Sequence, residues 1–351
     1  MRTIAALLQA GFFIAFLASS PAAAGTGGAV RVIIDPSQAQ AALMILSKLH
    51  QNQSVAAQDW STLFATGGYQ RLKRREAQFK RAFSDDDFKA FLSSPKTIAQ
   101  YRALSDTLTR WTSADITQLA QRSFAYLPAG ATLHATVYPM IKPRTNSFVF
   151  DLETDPAIML YLDPTITKGQ FGNTVSHELY HIGDDQNCPP PPVAAQEKQL
   201  GSPQKDVLEW MSAFGEGSAV LAAAGGPDIH PHAEDPPADR AVWDKALSNY
   251  NADFQSLQQF FTDIANGKLK GDAIAKQGYT YFGDVQGPWY TVGYKMDVLI
   301  ERTYGRPKLI EAICDKREYF ATYNSAAEQS NAAGNPPLPL WSSQLTSRFS
   351  K

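Results

Sequence analysis

The chain is poor in cysteine, histidine and net charge, and it has only one long apolar run. Two cysteines in 351 residues, Cys188 and Cys314, permit at most one disulfide. Their separation in sequence leaves proximity open, so pairing and no pairing stand as equals. A formal charge of −2 argues against a general affinity for nucleic acid or for an anionic membrane. The apolar run, Ile4 to Leu17, is shorter than the roughly 20 residues of a membrane span. With Arg2 before it and Ala22-Ala-Ala24 after it, it reads as an export signal over residues 1–24. Cleavage leaves no integral membrane segment and predicts a secreted or periplasmic protein. No cysteine lies in this segment for a lipid anchor. Internal repeats are absent too, which excludes a stacked-repeat architecture.

Six histidines is a small number, yet two of them fall in His177-Glu178-Leu-Tyr-His181. From six His and the 11 Glu that the sequence contains, an H-E-x-x-H pattern is expected by chance about 0.003 times. On a helix, His177 and His181 share one face and can present two imidazoles to one ion. Glu178 is turned by about 100° from His177, beside such an ion rather than on it. That is the place for a base that takes a proton from a metal-activated water. Thr167 to Ile182 reads as the helix, with Thr167 or Asn173 as caps, Val175, Leu179 and Ile182 as its apolar stripe, and Gly183 as its left-handed stop. Tyr180 is expected in the core.

The remaining pattern predicts an α+β protein, predominantly α-helical, with a small zincin-like sheet packed on the H-E-x-x-H helix and an additional helical region. Strand-like runs are Ala29–Asp35, Ala131–Ile141, Ser147–Asp151 and Ala157–Asp163; the last is a candidate edge strand for an extended peptide. Helical patterns cover Gln38–Gln51, Asp59–Ala65, Tyr69–Phe83, Asp86–Leu92, Ile98–Trp111 and Ala114–Ala125, with Ser84 and Asp87 as a capping box. Arg71, Lys73, Arg74 and Arg75 read as the solvated face of an amphipathic helix with Leu72 and Phe79 buried, in preference to an anion patch. Residues 184–205 read as a long loop, Asp206–Ala224 as one helix ending at Gly225-Gly226, and 227–239 as a loop with surface His230 and His232. Asp244–Gly267 and Trp289–Tyr304 complete the helices, with a short one from Pro307. The domain reading is residues 25–130 as a mainly helical region and 131–351 as the core, with one continuous domain as the alternative.

Catalytic zinc takes three protein ligands and keeps one position for water. Glu209 and Glu216 are the candidates for the third. Glu216 is preferred because Gly215 and Gly217 each cost about 1 kcal/mol in a helix interior, which close approach of a backbone or metal would explain. Glu209 then becomes a residue that orients a histidine. Cys188 is set aside as a ligand, since an exported thiolate is exposed to oxidation.

His177-Glu178-x-x-His181, the 35-residue step to Glu216 and the Gly-Glu-Gly-Ser-Ala setting resemble gluzincin metallopeptidases, most closely secreted bacterial families of zinc-dependent peptidases. The resemblance runs from the Asp35 strand to the Tyr294 region, and only its metal motif is highly specific. It departs from thermolysin at Val220, where an acidic residue would support a histidine. It implies Zn²⁺, hydrolysis of peptide bonds in a peptide or protein substrate, and a tyrosine at the developing oxyanion, for which Tyr290 and Tyr294 in Gly287-Pro-Trp-Tyr-Thr-Val-Gly-Tyr294 are similar. Two rival readings are a zinc amidase acting on a cell-wall component and a non-catalytic exported helical module.

Overall fold

The computed structural model describes residues 30–283 and 286–347; the expected export signal lies outside them. It is predominantly helical with one four-stranded mixed sheet, the α+β class expected. Among the described residues no helix is long and apolar enough to cross a membrane. The chain divides into two compact units, one of residues up to Gln118 with Leu133–Val175, the other of Leu119–Thr132 with residues from Ser176 onward.

The first unit contains strand β1 (Val30–Ile34) and helices α1 (Ser37–His50), α2 (Ala57–Phe64), α3 (Gly67–Gln78), α4 (Asp85–Leu92), α5 (Pro95–Ala99) and α6 (Tyr101–Thr112). Strands β2 (Leu133–Met140), β3 (Phe148–Phe150) and β4 (Ala157–Tyr161) complete its sheet. The order is β1-β2-β4-β3, with β1, β2 and β4 parallel and β3 antiparallel to β4. Register is set by pairs such as Val32 with Ala135 and Val137 with Ile158. Strand β4 is therefore interior, not the edge expected of Ala157–Asp163. Its run of apolar residues is the mark of a strand buried on both faces, and Ile158, Met159 and Leu160 are indeed buried. Ser84 and Asp87 form the expected capping box at α4, each side chain accepting the other's backbone N–H at 3.1 and 2.8 Å.

The basic cluster of α3 is a solvated face only in part: Arg74 is exposed, but Arg71 and Arg75 are buried. Arg71 donates to Asp151 at 2.8 Å and to the Asp155 carbonyl at 2.9 Å. Arg75, itself buried, donates to the buried Glu76 at 2.6 Å, and Lys73 pairs with Asp85 at 2.7 Å. Leu72 is buried as expected, but Phe79 is exposed, with the Arg75 guanidinium 4.4 Å from its ring centre.

Helix α7 (Ile116–Phe124) follows α6 in the chain, and helix α8 (Lys168–Asn187) follows β4. Helix α8 starts where Thr167 and Gln170 exchange side-chain-to-backbone hydrogen bonds of 3.1 and 3.0 Å, a capping box with glutamine. It does not stop at Gly183. That glycine sits inside the helix, where an added Cβ would come 2.4 Å from Leu127 Cδ1, so its role is close packing rather than capping.

The second unit continues with α9 (Pro191–Glu197), α10 (Ser202–Met211), α11 (Gly215–Ala224), α12 (Pro237–Ser248), α13 (Tyr250–Ala265), α14 (Asp272–Gly278), α15 (Pro288–Tyr304), α16 (Arg306–Cys314), α17 (Lys316–Ala332) and α18 (Ser343–Thr346). The expected loop 184–205 is thus largely helical. The expected helix Asp206–Ala224 is broken by a 3-10 turn at Ser212–Phe214, and Asp244–Gly267 is broken at Asn249. Gly225 closes α11 with φ of 90°, the left-handed stop that glycine adopts without strain. The core of this unit is aromatic: Phe214, Phe254, Phe261, Trp289, Phe320 and Trp341 are all buried. Cys188 and Cys314 form a disulfide, so Cys188 is not available as a metal ligand in this state.

Candidate metal centre

All residues of the centre belong to the second unit. Val175, Leu179, Tyr180 and Ile182 are buried. Full burial of each aliphatic side chain contributes about 1.5–3 kcal/mol, and it fixes which way the rest of α8 points. Two further hydrogen bonds set its azimuth against α7: Ser123 Oγ donates to the Ser176 carbonyl at 2.6 Å, and Ser176 Oγ to the Leu119 carbonyl at 3.1 Å.

With α8 so held, His177 Nε2 and His181 Nε2 stand 3.1 Å apart. Glu216, from the first turn of α11, brings Oε2 to 3.1 Å from His177 Nε2 and 3.3 Å from His181 Nε2. Protons alone do not account for this triangle. Two ring nitrogens can carry two N–H bonds, each aimed at one acceptor, and an ionised carboxylate has none, so at most two of the three edges are hydrogen bonds. In a tetrahedral zinc site with bonds of about 2.0–2.1 Å, neighbouring ligand atoms stand about 3.3 Å apart. The edges of 3.1, 3.1 and 3.3 Å and the two-imidazole, one-carboxylate donor set both fit zinc.

Electrostatics follow the geometry. Burial by itself raises the Glu216 carboxyl, but the two imidazoles outweigh it and hold that group well below the usual carboxylate range. Burial lowers the His181 imidazole, while the charge and hydrogen bond of Glu216 raise it further, to about 9 with no metal present. Its side chain keeps 31 % exposure, so the upward direction rests on the carboxylate contact. Glu178 is buried beside the triangle and its pKa is raised, by burial first and by Glu216 in addition, against the two histidines.

Tyr290, from the first turn of α15, faces the same centre. Its ring stacks against His177 with centroids 6.3 Å apart. Its hydroxyl lies within hydrogen-bonding reach of Glu216; burial and the charges of Glu216 and Glu178 push its pKa up. Tyr294 turns elsewhere: its ring packs edge-on to Trp243 at 5.3 Å, and its charged neighbours are Arg302 and Asp228. The four-residue step from Tyr290 carries it about 6 Å along α15, where it meets Trp243 instead of the centre. Glu209 is exposed on α10. The seven-residue spacing that would align it with Glu216 fails because the 3-10 turn between them resets the helical phase. His230 and His232 are occupied by Asp244 at 3.0 Å and Asp235 at 2.6 Å, and the His232 side chain is 13 % exposed rather than on the surface.

The glycines flanking Glu216 serve different ends. A Cβ on Gly217 would lie 2.1 Å from the Tyr294 backbone nitrogen and 2.4 Å from the Gly293 carbonyl carbon, so α11 and α15 meet there backbone to backbone. Gly215 has nothing within 4 Å and is not required by close approach. Sequence reasoning missed one buried polar group here. Asp297 of α15, 0 % exposed, accepts from Ser218 Oγ at 2.5 Å and from Tyr319 OH at 2.6 Å. Its signal was an acidic residue between Met296 and the apolar Val298-Leu299-Ile300.

Residues 60–332 match the family model described as "Putative zinc dependent peptidase (DUF5700)". The chain belongs to that family. No curated protein and no solved structure matches it. The matched span includes His177, Glu178, His181, Glu216 and Tyr290.

Proposed function

We propose that the chain is a zinc metallopeptidase in which His177, His181 and Glu216 hold the ion and Glu178 is the general base. The observation that carries this reading is the triangle of two Nε2 atoms and one carboxylate oxygen with edges of 3.1–3.3 Å. When bound there, zinc supplies Lewis acidity and brings the pKa of a water from about 15.7 towards about 7.

The chain's own groups then divide the work. Glu178, whose carboxyl is raised by burial, takes a proton from the attacking water and returns it to the nitrogen of the leaving amine. A raised carboxyl suits both transfers better than an ordinary one, because efficient acid–base catalysis wants a pKa near the working pH. Tyr290 offers an O–H donor beside the centre, suited to negative charge that develops on the carbonyl oxygen in the transition state. Its own raised pKa keeps it protonated for that task.

Two features support export, which is part of the proposal: the charged-apolar-small pattern of residues 1–24 and the Cys188–Cys314 disulfide, a bond that persists in oxidising compartments. Peptide substrates remain the substrate class that the family description supports best.

The test is Glu178→Gln assayed on casein and quenched peptides alongside zinc analysis. The variant keeps one zinc per chain and loses at least about 100-fold in turnover, within the range of a general base. Undiminished turnover in a zinc-loaded variant overturns the assignment.

A further inference from the structure

One stripe of α15 meets α11 at three successive points. Tyr290 reaches Glu216, Gly293 lies against Gly217 backbone to backbone, and Asp297 accepts from Ser218 Oγ at 2.5 Å. Asp297 follows Tyr290 by seven residues, two helical turns, so it falls on the same side about 10 Å further along the axis. Its other oxygen accepts from Tyr319 OH of α17 at 2.6 Å. The buried Tyr180 hydroxyl of α8, between the two motif histidines, lies beside Ser218 without a strict hydrogen bond to it and feels the charge of Asp297.

We propose that Asp297 and Ser218 are positioning residues for the metal centre: they lock the sliding and rotation of α11 on α15 and so fix where Glu216 stands relative to His177 and His181. The inference rests on the zinc reading and adds a device to it. The glycine contact fixes only the distance between the two helices. Backbone against backbone has no side chain to resist slippage, so register along that contact must come from elsewhere. The Ser218–Asp297 bond, both partners buried, supplies it within two residues of Glu216. A carboxylate with 0 % exposure is costly unless its hydrogen bonds are made. Here they are made by donors on two different helices, so the group is satisfied only when α11, α15 and α17 are in one arrangement. Buried polar groups are used in this way to select a single register.

The experiment measures zinc affinity of the folded full chain at 25 °C by competition with a chromophoric chelator, together with metal-free thermal unfolding. Ser218→Ala removes one hydroxyl and is expected to weaken zinc by 10- to 100-fold, the range seen when a partner that orients a metal ligand is lost. Asp297→Ala loses as much or more, and Asp297→Asn, which keeps the size and an acceptor for Tyr319, recovers most of the affinity. A structural role alone predicts a lowered Tm with wild-type zinc affinity in the folded state. Wild-type affinity in both Ser218→Ala and Asp297→Ala, each folded by circular dichroism, overturns the inference. If Asp297→Ala does not fold, Ser218→Ala decides. Failure of the wild type itself to take up zinc overturns the metal reading beneath it, and is seen separately in the same titration.

Discussion

Both units bury charge, and they do so to opposite ends. In the first, the buried Arg75 donates to the buried Glu76 at 2.6 Å, and Arg71 is held by Asp151 and Asp155. Donors meet acceptors in these pairs, and each of these charges has an opposite partner. In the second, three groups that all offer lone pairs, two imidazoles and a carboxylate, converge within 3.3 Å. The first arrangement is complete as it stands, while the second asks for a cation. The distinction lies in chemistry of the partners, since burial and proximity are common to both.

The comparison breaks most sharply at Glu216. Glu216→Gln should weaken zinc by more than the 10- to 100-fold that follows loss of an outer partner, because a ligand itself is lost. Arg75→Met leaves Glu76 buried and short of its closest partner, and removal of one member of a buried pair costs about 3–5 kcal/mol. Chemical denaturation should register that loss, and zinc affinity of the folded variant should stay at the wild-type value.

A pH series sharpens the same contrast. The His181 pKa, raised to about 9 without metal, means that a proton competes with zinc across the neutral range, since a ligand imidazole must be neutral. Apparent zinc affinity should rise about tenfold per pH unit, hence about 100-fold from pH 6 to 8. An ordinary histidine, with a pKa of about 6.5, predicts a plateau above that value. The linked effect on the metal-free fold has the opposite sign. A raised His181 stabilises fully below about pH 6.5 and loses that contribution as pH rises through about 9. A depressed Glu216 stabilises above its ordinary value of 4.5 and loses it as pH falls. Metal-free Tm should therefore peak between those limits and decline on both sides.

The smallest effects separate the two glycines. Gly217→Ala places a methyl 2.1 Å from backbone and should cost at least about 1–3 kcal/mol. Gly215→Ala meets nothing within 4 Å and should leave stability unchanged or raise it by up to about 1 kcal/mol. Thermal unfolding of the two variants side by side distinguishes them.

What the sequence disclosed was local. H-E-x-x-H, the Ser84–Asp87 box, the four strands and the helix stop at Gly225 are patterns within a few residues, and each appears in the structure. Glu216 was also legible, through the glycines around it, although only Gly217 has the reason inferred. Long-range partners were not legible. Asp151 and Asp155 lie about 80 residues from Arg71, so the basic cluster read as solvated. Gly183 looked like a helix stop because Leu127, which it accommodates, is remote in sequence. Tyr290 and Tyr294 could not be told apart without the direction of α15. The break at Ser212–Phe214 carries no proline, and it is what separates Glu216 from the exposed Glu209.

The most direct measurement is an anomalous difference map at the zinc edge, from protein purified without chelator. It should show one peak at full occupancy bonded to His177 Nε2, His181 Nε2 and a Glu216 oxygen. No stoichiometric peak there, or a peak held by other side chains, contradicts the account.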